Sequence, residues 1–181
     1  MIDKILNKIS PQQALELLRC LAKKDQNISQ QIEKEAEQLL KQVDLDEICE
    51  DVYFNLDGID VEDLWDRSGP NRYGYLSPEE MAIQMLEEEL EPYNNEVFKY
   101  LELGMVKEAE IYCMGVLKGI YKYVQESKSE FKDWAVDIPE ECFGYLLEEW
   151  KKRTKEKNDF IELNKFLKKE CSNWAEWALK I

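Results

Sequence analysis

Residues 91–126, EPYNNEVFKYLELGMVKEAEIYCMGVLKGIYKYVQE, constrain the fold of this chain more than any other stretch. Apolar residues recur there at three- and four-residue spacing on both sides of Gly104, so the segment predicts two antiparallel helices folded about that glycine. From Ile111 to Val124 almost every position is apolar, and Lys118 and Lys122 form a narrow polar stripe. A helix apolar nearly all round is buried among others. Gly115 and Gly119, four apart on one face, cost helix propensity but let a second helix approach closely.

Other helix starts are equally legible. Ser10-Pro11-Gln12-Gln13 and Ser77-Pro78-Glu79-Glu80 each place a cap, a proline at the first helical position and a side chain able to reach back; Asp137 with Glu140 is a looser version. After Ser10, Leu15, Leu18, Leu21 and Ala22 form one apolar face. A helix over 28–40 puts Ile32, Ala36, Leu39 and Leu40 on its inner side, and a third over 45–56 buries Ile48, Val52 and Leu56. Further helices are expected at about 59–66, 78–90, 92–103, 105–125, 139–152 and 159–179. Residues 127–137 make a connection pinned by Phe131 and Trp134. No strand-period segment stands out. The expected fold is all-α, a helical bundle or short α-solenoid of eight or nine helices, in one domain over 1–181. A subdivision into 1–66 and 77–181 is compatible with the turn-rich stretch between them.

Composition narrows the function classes. With 24 basic and 39 acidic residues the formal charge is −15, which opposes nucleic acid or an anionic membrane as partner and suits a protein partner, a basic one included. No apolar run approaches the ~18 residues needed to cross a bilayer, and MIDKILNKIS is too charged for a signal-peptide core. The five cysteines, Cys20, Cys49, Cys113, Cys142 and Cys171, include no Cys-x-x-Cys pair; reduced, buried thiols in a cytoplasmic protein are expected, and no cofactor is implied. The absence of histidine removes Ser-His-Asp and Cys-His nucleophile systems and His-ligated metals.

An enzyme built from this chain would work mainly with carboxylates. Glu47-x-x-Glu50 and Asp63-x-x-Asp66 lie on either side of Gly58, and residues three apart share a helical face, so two antiparallel helices could aim four carboxylates at Mg²⁺. An EF-hand aligned on Gly58 fails, because Tyr53 and Leu64 would occupy its first and last ligand positions. The turn-rich stretch from Arg67 to Tyr75 is the stronger site candidate. Arg67 and Arg72, two of only four arginines, flank a turn beside Tyr73 and Tyr75, a combination suited to a partner or anionic ligand. The competing arrangement pairs Arg67 with Asp63 or Asp66. Charge is uneven: residues 44–66 hold ten acidic and no basic residues, while 151–169 hold eight basic and three acidic. That asymmetry would permit head-to-tail self-association. The basic stretch, with Phe160, Phe166, Trp174 and Trp177, is expected as a terminal helix with aromatics turned inward.

Two resemblances follow from these residues. The hairpin resembles a tetratricopeptide repeat: Gly104 with Glu108-Ala109 matches its turn and second-helix opening, and Tyr93 and Tyr100 match its first-helix aromatics. Val97, Val116 and Tyr121 depart from the pattern, and no second copy is present. The likeness implies helical-repeat packing and a role in holding another protein. The stretch LNKISPQQALELLRCLAKKDQNISQQIEK resembles helical regions that accompany SWIM-type zinc fingers; the finger itself is absent, and no activity follows. The four carboxylates are similar to those of all-α nucleotide pyrophosphohydrolases, with Asp63 in place of a Glu, which implies Mg²⁺-dependent chemistry as the alternative. The favoured reading is a non-enzymatic protein–protein interaction module.

Overall fold

The computed structural model describes residues 2–72, 74–154 and 160–181. The described residues are 78% helical, in ten helices with one two-stranded sheet, so the fold is all-α. Packing divides the chain into two compact units, one ending at Gln42 and one spanning Val43–Ile181.

The first unit contains α1 (Ile2–Leu6), α2 (Pro11–Lys24) and α3 (Gln26–Leu40). Ser10 and Gln13 close a full capping box over α2, and the Asp25 carboxylate accepts from the Asn27 amide to start α3. α2 and α3 pack on each other as a hairpin. Neither buries a single residue. The faces expected to turn inward are only partly covered: Leu21, Ala22, Ile32 and Leu40 are half-buried, whereas Leu15, Leu18 and Ala36 are exposed and Leu39 is 68% exposed. Two helices of this length can cover only one stripe of each other, and the apolar arc of α2, running from Leu17 through Leu21 and Ala14 to Leu15, is wider than one stripe.

The second unit is built on α4 (Leu45–Asp57), α6 (Pro78–Glu102) and α7 (Val106–Glu126). α4 and α7 are the most extensively packed pair and run parallel. A Cβ at Gly115 would lie 2.8 Å from Ile48 Cβ, and one at Gly119 would lie 2.6 Å from Val52 Cβ, so the glycine pair is where the α4 backbone sits down on α7. Lys118 Nζ reaches Asp46 at 2.8 Å and Lys122 Nζ reaches Glu50 at 2.6 Å, in the same register along the pair. The lysine stripe is therefore an ion-pair seam beside an apolar one. Ser127 Oγ donates to Asp57 Oδ1 at the far end, and Lys132 Nζ donates to the Val124 carbonyl in the last turn of α7 and to the Ser127 carbonyl just after it.

α6 is one helix, not the two expected on either side of Pro92. A proline inside a helix removes an amide donor and costs ~3 kcal/mol or more. Here Leu86, Leu90, Tyr93, Val97 and Tyr100 keep one buried seam in register through the proline, and that burial outweighs the local penalty. Gly104, at φ 74°, makes the turn into α7. The Tyr93 hydroxyl donates to Asp51 Oδ2 at 2.7 Å and accepts from Asn55 Nδ2, tying α6 to α4.

Between α5 (Val61–Arg67) and α6, the turn-rich stretch forms a small antiparallel hairpin, β1 (Gly69–Asn71) and β2 (Gly74–Leu76), in the register Gly69↔Leu76. Six residues were too few for an alternation signal, and Gly69 and Gly74, the first residue of each strand, carry positive φ angles that favour glycine. After a 3-10 turn (Glu130–Trp134) come α8 (Ile138–Arg153), α9 (Ile161–Glu170) and α10 (Ala175–Ala178). Phe131 is fully buried, and Trp134 packs edge-on against Trp65. The Asp137 side chain makes no capping bond, contrary to the sequence expectation. Phe143, Trp174 and Trp177 form an aromatic cluster at the C-terminal end, where Leu163, Leu167 and Cys171 are also buried. Asp159 lies outside the described residues. No helix among those described is long and apolar enough to cross a membrane.

Candidate functional site

The Arg67–Tyr75 stretch places its groups unequally. Arg67, at the end of α5, donates to Glu88 Oε2 of α6 at 2.7 Å, so its partner is Glu88 and not the Asp63 or Asp66 expected from the sequence. Arg67 leaves its own helix because α6 passes alongside α5. The guanidinium, together with a bond from Gln84, holds the Glu88 carboxyl below the usual carboxylate range. Arg72 sits exposed at the tip of the β-hairpin, and Tyr75 is 70% exposed on β2. Tyr73 lies outside the described residues. The stretch presents one committed arginine, one exposed arginine and one exposed tyrosine.

The four acidic residues considered for Mg²⁺ all lie on the surface. Glu47 and Glu50 border a shallow hollow on α4 with Asp44, Asp46 and Asp51, whereas Asp63 borders a different depression with Arg67 and Glu89. Both Glu50 oxygens lie within hydrogen-bond distance of Lys122 Nζ. Among the described residues no three acidic or thiol side chains are placed to share a metal ion. α4 spends its acidic face on the ion-pair seam with α7, and Asp44 caps its own helix by accepting from the Asp46 and Glu47 amides.

The cysteines are unpaired. Cys49, Cys113 and Cys171 are buried and Cys142 is half-buried, while Cys20 is exposed on α2. Burial raises the thiol pKa of each of these four, pushing Cys171 and Cys142 up to about 12. Such thiols stay protonated and unreactive at neutral pH.

Two surfaces were not legible as sites in the sequence. One is the open apolar face of the α2–α3 hairpin. The other is a groove of about 640 Å³ between α6 and α8, bordered by Glu87, Glu91, Asn94, Phe98, Glu141 and Tyr145. The first was hidden because amphipathic spacing looks the same whether or not a helix finds cover. The second was hidden because its two walls are some fifty residues apart in sequence. The fold and its surfaces thus define an all-α protein with open helical faces. No family model, curated protein or solved structure matches the chain.

Proposed function

We propose that this protein is a non-enzymatic protein–protein interaction module. The observation that carries the reading is the α2–α3 hairpin, in which two strongly amphipathic helices bury none of their residues. Helices of 14 and 15 residues draw most of their stability from covering an apolar face, so an open face of this kind calls for a protein partner. Seven basic and six acidic residues precede Val43, so this hairpin, unlike the acidic remainder, offers no net charge barrier to association. The resemblance of the α6–α7 hairpin to a tetratricopeptide repeat points the same way. Arg72 and Tyr75, exposed on the β-hairpin, are candidate further contacts, and Tyr73 remains a candidate from the sequence alone. Five unpaired thiols fit a reducing compartment such as the cytoplasm.

The test compares wild type with the Leu15→Gln, Leu18→Gln, Leu39→Gln variant in pull-down from native lysate and in sedimentation of the purified chain. A near-stoichiometric partner, or a self-associated species, that the variant loses with unchanged circular dichroism supports the module. A wild type that stays monomeric and retains nothing refutes it.

A further inference from the structure

The groove between α6 and α8 has a chemistry of its own. On α6, Glu87, Glu91, Asn94 and Phe98 recur at intervals of four, three and four, the spacing that aligns side chains on one face. Across from them α8 presents Ile138, Glu141, Cys142 and Tyr145. Buried Leu90 and half-buried Phe98 and Ile138 give the groove an apolar lining, and Tyr145 stands 52% exposed beside it. The charged side chains lining the groove are acidic, Glu87, Glu88, Glu91 and Glu141, and a basic group, Arg153, stands on Phe98 at one end. Of these, Glu88 is neutralised by Arg67. A neighbouring depression shares Glu141 and Tyr145, adds Asp137, Glu140 and Glu148, and is likewise lined by no basic residue. The field is felt inside the groove, where burial and then Glu87 and Glu141 raise the Cys142 thiol.

One buried acceptor in this wall lacks a donor, and a second loses its regular helical one. Asn94 Oδ1 is buried with no hydrogen-bond partner among the described residues. Pro92, having no N–H, leaves the Glu88 carbonyl without the amide a regular helix would supply. At one end the Arg153 guanidinium lies 4.1 Å from the Phe98 ring centre, so this aromatic already accepts a cation on its face.

The spacing of the charges selects the occupant. These carboxylates do not converge on a point where one metal ion could sit, so they match several separated cations. The α6 wall runs from Gln84 to Phe98, about 21 Å at the helical rise, the length of a helix of roughly 14 residues. Lysine or arginine at helical intervals would meet the carboxylates, and the intervening apolar face would cover Leu90, Phe98 and Ile138. A linear polyamine could match the charges but not the apolar lining. Nucleic acid and anionic lipid are repelled by the same acidic band.

We propose that the α6–α8 groove is the docking site for a basic amphipathic helix of a partner protein. This rests on the interaction-module reading and assigns it a second surface and a partner class. The probe is a fluorescein-labelled 14-residue amphipathic peptide of lysine, leucine and alanine, titrated with the full chain at 150 mM salt and followed by anisotropy. Saturable one-to-one binding is expected. The Glu87→Gln, Glu91→Gln, Glu141→Gln variant weakens it about tenfold or more, and Tyr145→Ala about threefold or more. Neutralising Glu62, Glu102 and Glu130 instead, which removes the same charge elsewhere, changes it less than about twofold. Arg67→Ala, which frees Glu88, tightens it. A serine-for-leucine version of the peptide and spermidine compete at least about tenfold less well.

Equal weakening by the two triple variants would overturn the proposal, since binding would then follow net charge alone. Equal competition by the serine peptide, or no saturation, would also overturn it. Peptide binding retained by the α2–α3 glutamine variant, with partner capture lost, separates this groove from the hairpin: either surface can fail while the other stands.

Discussion

Gly119→Ala is the sharpest probe of how α4 and α7 are held. A new Cβ would lie 2.6 Å from Val52 Cβ and 2.8 Å from the Cys49 carbonyl oxygen. Carbon atoms settle at about 3.5–4.0 Å, so α4 must retreat by roughly 1 Å. Neither obstacle is the end of a flexible side chain; both are fixed to the α4 backbone. Retreat would also strain the Asp46–Lys118 and Glu50–Lys122 pairs. Overpacking of this kind costs ~1–3 kcal/mol or more. Replacing a helical glycine with alanine returns ~1 kcal/mol of propensity. The repulsion wins because two rigid contacts are violated together, leaving a net loss of about 1–2 kcal/mol and a fall in Tm of several degrees. Gly144→Ala is the internal control: its Cβ would meet Trp177 ring atoms at 3.5 and 3.6 Å, ordinary contacts, so it should stabilise by about 0.5–1 kcal/mol. Denaturant midpoints and thermal melts of both variants decide the matter. A Gly119→Ala protein as stable as wild type, or moving in the same direction as Gly144→Ala, would refute the close-approach argument.

Further expectations follow from the buried groups. The Tyr123 hydroxyl is buried without a hydrogen-bond partner among the described residues, so Tyr123→Phe should be neutral or stabilising by about 1 kcal/mol in urea titration; a clear loss would mean the hydroxyl has a donor or acceptor. Stability should fall as pH rises above about 9. The folded Cys113 thiol is raised by complete burial, so it stays protonated while the unfolded chain ionises from its ordinary 9.0; for this one group the slope approaches ~1.4 kcal/mol per pH unit. Tyr112, pushed up to about 12 chiefly by burial, adds to the same trend above pH 10, and a flat midpoint between pH 8 and 10.5 would contradict both. Under native conditions a thiol reagent should label Cys20 rapidly and the buried Cys49, Cys113 and Cys171 only on unfolding, as read by mass spectrometry. Arg72→Glu should leave the melting temperature unchanged and weaken partner capture if the β-hairpin contributes a contact; unchanged capture would remove Arg72 from the interface.

Much of the site lay outside the reach of sequence because its walls are distant in the chain. Arg67 could be placed on a helix end, and its local partners were Asp63, one helical turn back, and the adjacent Asp66. Its actual partner, Glu88, depends on how α5 crosses α6, which is set by side chains on both helices. Glu47, Glu50, Asp63 and Asp66 showed the spacing of a carboxylate site. Spacing fixes only the face of each helix, and tertiary packing turned Glu50 toward Lys122 and Asp63 toward a separate depression.

What the chain determined by itself is whatever one or two turns of backbone can decide. The capping boxes at Ser10 and Ser77, the turn at Gly104, the all-α class and the glycine pair awaiting a close neighbour all rest on contacts three or four residues apart. Tertiary structure decided which helix meets Gly115 and Gly119, that α6 runs unbroken through Pro92, and that α2 and α3 leave Leu15, Leu17, Leu18 and Leu39 exposed. Each outcome is the small difference between a local cost and the apolar area that distant elements cover, and no stretch of sequence carries both sides of that balance.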